Sequence, residues 1–184
     1  MSTRVGTATP GYLVVRVGDD GTYVGGLMVT DRHGLPLDFR YTDAIKPTRL
    51  QKALYGGVLD RYLRSEVVLR TLLGALSEKP TLLLVEDDRL LDEEVPGITV
   101  LSASPSRADR LGARGEIREE SPGVFLVQAD DEQSPLRVAV APEANGAAAA
   151  ATEALVALAE TMDLLEPADR VRRALDLIAN GEAA

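Results

Sequence analysis

The 184-residue chain is 45% hydrophobic and 27% charged with a net charge of −9, a globular balance that excludes general disorder and leaves room for one domain with a proper core. It has no cysteine, no tryptophan and a single histidine, which removes disulfides, thiolate nucleophiles and cysteine-held zinc and leaves imidazole chemistry one candidate, His33. The charge is polarised: residues 1–77 hold ten Arg/Lys against seven Asp/Glu, and residues 78–184 hold ten against twenty-two.

No apolar run approaches the ~18 residues that span a bilayer, and the polar start lacks the order of a signal peptide, so a cytoplasmic protein without membrane contact is expected. After that leader, "GYLVVRV" (11–17) and "TYVGGLMVT" (22–30) flank the turn signal "DDG" and predict a hairpin. Gly25 and Gly26 would weaken a plain strand and mark a bulge or a close approach of another backbone. The turn "DRHG" follows, with His33 expected in solvent. "LPLDFRYTD" then alternates Leu35, Leu37, Phe39 and Tyr41 against Asp38 and Arg40, the pattern of a third strand.

The period changes after Pro47. Leu50, Leu54, Val58, Tyr62, Leu69, Leu72, Leu73 and Leu76 predict a helical apolar face over 47–77, with a kink or break at Gly56-Gly57. The other side carries Arg49, Lys52, Arg61, Arg64 and Arg70. "TLLLVEDD" (81–88) reads as a buried strand emptying into an acidic loop, and "GITVLSA" (97–103) as its successor, close enough to make a helix-covered parallel crossover cramped. Residues 104–122, rich in Ser, Gly, Arg and Glu, are expected to be a flexible loop or linker. "GVFLVQA" and "PLRVAVA" predict a second hairpin, and two C-terminal helices follow, restarting at Glu166-Pro167. The expected fold class is α+β: an α+β core over 1–103, the linker over 104–122, and over 123–184 a hairpin plus helical pair packed on the same domain.

Three antiparallel strands, a long helix and a strand ending in acids is an order that resembles the start of ribonuclease H-like folds. "PTLLLVEDD" is similar to the strand that brings an aspartate to the metal site in endonuclease V-type members. The resemblance covers residues 11–103 and implies carboxylates gathered around two Mg2+ ions, here Asp38, Glu86 and Asp87. It departs in the first strand, where that family places an aspartate and "YLVVRV" has none.

No GxGxxG, GxSxG or HExxH occurs, and the acidic "DRLLDEE" lacks the glycine and terminal glutamate of a calcium loop. The shortage of catalytic residue types and the split charge favour a non-catalytic adaptor or subunit of a protein complex, with no catalytic residues, no metal and no cofactor. Arg49, Lys52, Arg61 and Arg64 then form its partner-binding face, other protein subunits are its partners, a homo-oligomer is allowed, and nucleic acid is met only indirectly or weakly. The alternative is an active or degenerate ribonuclease H-like nuclease, which alone calls for Mg2+.

Overall fold

A computed structural model describes residues 8–141 and 145–182; the first seven residues of the polar leader lie outside the described residues. Eight strands form one mixed sheet in the order β3-β2-β1-β4-β5-β8-β7-β6, with helices on both faces. β1 (Pro10–Val17) and β2 (Tyr23–Thr30) make the expected hairpin, closed by Gly18, whose N–H donates to the Thr22 carbonyl at 2.8 Å. Gly21 takes φ +76° in this turn, a conformation that costs glycine little. β3 (Pro36–Tyr41) runs antiparallel to β2 at the sheet's edge.

Alternation along β1 divides the interior in two. Tyr12 and Val14 face one layer, with Met28, Leu84, Leu101, Val138, Leu155, Val171 and Leu175. Leu13 faces the other, with Leu27, Val68, Leu69, Leu72 and Leu83. The paired glycines of β2 serve both layers: a Cβ on Gly25 would collide with Val68, and one on Gly26 would come within 2.9 Å of Val171 Cγ1. They mark a close approach of helices on opposite faces, and the irregularity in register lies further along, between Val29 and Thr30.

The helical segment after β3 is broken where the two glycines predict it. α1 (Arg49–Tyr55) starts in a capping box, with the Thr48 hydroxyl accepting from Gln51 N–H and the Gln51 side chain accepting from Thr48 N–H. It ends at Gly56, whose φ is +52°, and a 3-10 turn leads to α2 (Leu59–Tyr62), a π-helical stretch over Leu63–Leu69 and α3 (Arg70–Ala75). The expected apolar face is covered only from Leu63 onward. Leu69, Leu72, Leu73 and Leu76 are buried, but Leu50, Leu54, Val58 and Tyr62 are exposed, and neither α1 nor α2 buries a residue. The face expected for β3 is likewise uncovered in part: Leu35, Leu37 and Tyr41 are exposed, and only Phe39 packs on the core.

β4 (Leu82–Val85), buried throughout, runs parallel to β1, and β5 (Thr99–Pro105) runs parallel to β4 through a crossover holding one 3-10 turn, Asp88–Leu90. Within the stretch expected to be a linker, Ile117–Ser121 forms β6 and pairs with β7 (Val124–Val127), its alternation hidden by four polar residues on an exposed edge. β8 (Leu136–Val140) pairs antiparallel with both β7 and β5 and so joins the second hairpin to the first sheet. α4 (Asn145–Ala159) and α5 (Glu166–Ala179) cover the Tyr12 face through Leu155, Leu158, Val171 and Leu175. Among the described residues no helix is long and apolar enough to cross a membrane.

Candidate site at the carboxyl ends of the central strands

Because β1 and β4 are parallel, their carboxyl ends open at the same end of the sheet, the place where open α/β sheets tend to bind ligands. The residues leaving β4 divide between its two faces. Glu86 continues the Leu82, Leu84 series and meets Arg172 of α5 in an ion pair; Arg172 also pairs with Asp169, one turn back on the same helix. Beside it Arg16, from the end of β1, pairs with Asp176. The seam between α5 and the strand ends is therefore laid with opposed charges.

A cavity of about 400 Å³ sits behind this seam, walled by Leu84, Pro105 and Leu164, with Glu86 and Arg172 among its polar lining and Tyr12 deep within. Tyr12 is 1% exposed, and its hydroxyl has no hydrogen-bond partner among the described residues. Burial pushes the phenol well above the ordinary tyrosine range; the Arg170 charge opposes the shift, and Asp163 and Glu166 reinforce it. The hydroxyl is neutral at any physiological pH.

Asp87 turns to the opposite face. Its carboxylate takes Arg64 at 2.8 Å and Arg89 at 2.7 Å, and both arginines also hold Asp60, at 3.0 and 2.7 Å. Tyr23 donates its hydroxyl to Asp60 at 2.8 Å, and its ring lies 5.7 Å from the buried Arg64 guanidinium. Partial burial pushes the Asp87 carboxyl upward, but hydrogen bonds from Arg89 and the Arg64 charge outweigh it and hold Asp87 below the usual carboxylate range. Asp88 accepts from the Ser102 hydroxyl at 2.7 Å.

The structure does not bring Asp38 to Glu86 and Asp87. Following the register from Asp38 to Val29, Gly11 and Leu83 places it three strands from β4 and three residues short of Glu86. At standard strand spacing and rise that is about 14 Å across the sheet and about 10 Å along it. Asp38 instead accepts from Ser77 N–H at 2.7 Å and pairs with Arg40 at 3.1 Å, fastening the chain after α3. Among the described residues no group of three or more His, Asp or Glu side chains is placed to hold a metal ion.

The four basic residues singled out in the sequence separate as well. Arg49 and Lys52 are exposed on α1 with no carboxylate partner among the described residues; Lys52 reaches the β1–β2 turn, its Nζ 3.8 Å from where a Gly21 Cβ would stand. Arg61 lies 3.6 Å from Glu93, and Arg64 is buried in the network around Asp60 and Asp87. The remaining site residues, Tyr12, Arg16 and Arg172, carry no signal in the sequence: a tyrosine in an apolar strand, an arginine at a strand's end and an arginine on an amphipathic helix are ordinary there. His33 is exposed in its turn, where its N–H donates to Asp31 Oδ1 at 2.8 Å.

No protein-family model and no curated protein matches the chain. Solved structures do. Endonuclease V from Streptomyces avermitilis is 18% identical with a TM-score of 0.56, over 95% of this chain and 84% of that one. Human endonuclease V is 12% identical with a TM-score of 0.53, over 97% and 87%, and its catalytic domain is 15% identical with a TM-score of 0.52, over 96% and 85%. These neighbours overturn the expectation of an adaptor subunit working through protein–protein contacts, since the structures that share its shape are nucleases and not docking modules. The chain has an endonuclease V-like fold along nearly its whole length, with the ribonuclease H-like order of elements that its first hundred residues suggest.

Proposed function

We propose that this chain is a nucleic-acid-binding protein built on a nuclease fold, with the backbone of a bound strand held at the carboxyl ends of β1 and β4. The observation that carries this reading is the position of α1. Its cations Arg49 and Lys52 are exposed and have no carboxylate partner among the described residues, and Lys52 reaches the β1–β2 turn, at the same end of the sheet as the Glu86–Arg172 cavity. Exposed cations at the end of the sheet where the strands open are what phosphate contacts require, and such contacts position a strand without reading its bases. The net charge of −9 opposes long-range attraction, so binding is expected to be modest and to collapse as salt rises.

A hydrolytic reading would require Mg2+ at these strand ends, and the residues present do not fit that ion. β1 offers Tyr12 and Val14 on this face, and the one carboxylate leaving β4 there, Glu86, already faces a guanidinium. Fluorescence anisotropy with single- and double-stranded oligonucleotides tests binding. The expected result is saturable binding at low salt, with the slope of log K against log salt reduced by about 1 for each of Arg49→Ala and Lys52→Ala. Absence of binding at low salt, or an unchanged slope in the double variant, would refute the reading.

A further inference from the structure

Resting on that reading, we infer that Arg172 is a built-in cation standing where a nuclease of this shape would need a metal, so that the chain binds nucleic acid without a divalent ion and does not cleave it. Three placements carry the inference. Glu86 lies one step beyond the Leu13–Val85 pair of the parallel strands, so its neighbour across β1 is Val14, which is 1% exposed and apolar. The next outward residue of β1 on that face is Arg16, a second cation, already paired with Asp176. From α5, Arg172 lies between Glu86 and Asp169 and pairs with both.

Each carboxylate at this seam therefore has an arginine as its counter-ion, and a divalent cation would have to displace a covalently tethered charge to bind. A guanidinium a few Å away repels a divalent ion and already occupies the two carboxylates that would attract it, so at an effective dielectric constant near 20 the ion binds far more weakly here than it would with Arg172 absent. The acids of the opposite face supply no substitute: Asp87 and Asp60 are each bridged by Arg64 and Arg89, Asp88 is engaged by the Ser102 hydroxyl, and among the described residues no three carboxylates converge. The arrangement neutralises the carboxylates of the seam with tethered charges and offers no open position at which a water could be activated.

Electron paramagnetic resonance of Mn2+, titrated into the full chain, reads this directly. Wild type should leave Mn2+ free at millimolar concentration. Arg172→Gln, at a side chain partly open to solvent, releases Glu86 and Asp169 and should tighten Mn2+ binding roughly tenfold or more, the effect of removing one unit charge a few Å from a divalent ion. Adding Glu86→Gln to that variant should abolish the gain. Oligonucleotide affinity in EDTA should equal that in Mg2+, with no cleavage product in either. Wild-type Mn2+ binding as tight as that of Arg172→Gln, or Mg2+-dependent cleavage lost on Glu86→Gln, would overturn the inference. Absence of oligonucleotide binding in both buffers, with Mn2+ still excluded from wild type, would instead refute the proposed function and the binding that rests on it, leaving the assignment of Arg172 as the built-in cation standing.

Discussion

Leu84 and Leu54 occupy equivalent places in two apolar patterns, yet the first is 6% exposed on the central strand β4 and the second 73% exposed on α1. Truncating Leu84 to alanine removes methyl groups from the layer shared with Tyr12, Leu101 and Val138 and should cost about 2–5 kcal/mol, the range for buried leucines whose surroundings relax only in part. Leu54→Ala removes surface already in water and should change stability by less than ~0.5 kcal/mol, as for surface sites away from caps and networks. Equilibrium denaturation of the two variants, read as a shift in midpoint at constant slope, checks both. The same contrast governs the charged residues. "VEDD" was legible as a strand emptying into an acidic loop, because an apolar run bounded by acids has few other readings. Which face each acid takes was not, since that depends on arginines about 20 residues back in sequence for Asp87 and more than 80 ahead for Glu86.

At the scale of elements, the segment from α1 to α3 shows what periodicity can and cannot convey. The spacing of Leu50, Leu54, Val58 and Tyr62 forecast a helical apolar face, and the two glycines forecast its interruption; both follow from local backbone chemistry. What lies against that face is a property of the folded chain. The first half of the segment touches the sheet only through polar side chains such as Lys52 and Asp60 and buries no residue, while the second half carries Leu63, Val68, Leu69, Leu72 and Leu73 into the core. Local opening of the first half is thus predicted to need little free energy, and opening of the second half close to that of global unfolding. Hydrogen exchange followed by mass spectrometry should show amides over 49–62 exchanging well before those over 66–75. Equal protection of both halves would show that α1 and α2 are held by contacts other than those to the sheet.

Across the whole molecule, the decisive connection is the insertion of β8 beside β5. It was not legible, because antiparallel pairing between strands more than 30 residues apart leaves no periodic mark on either, and β6 is an edge strand of four polar residues after one isoleucine. Its consequence is a single interior layer drawn from both ends of the chain: Tyr12, Val14 and Leu84 pack with Val127, Val138, Leu155 and Leu175. Residues 1–103 alone would leave β5 with an unpaired edge and strip α4 and α5 from the Tyr12 face, exposing a broad apolar surface and a strand edge open to pairing with other chains. The full chain is accordingly predicted to unfold in one calorimetric transition whose enthalpy matches the van't Hoff value. The fragment 1–103 should lack cooperative unfolding and aggregate. Two resolved transitions in the full chain, or a fragment with a sharp melting curve of its own, would show that the first five strands need nothing from the rest.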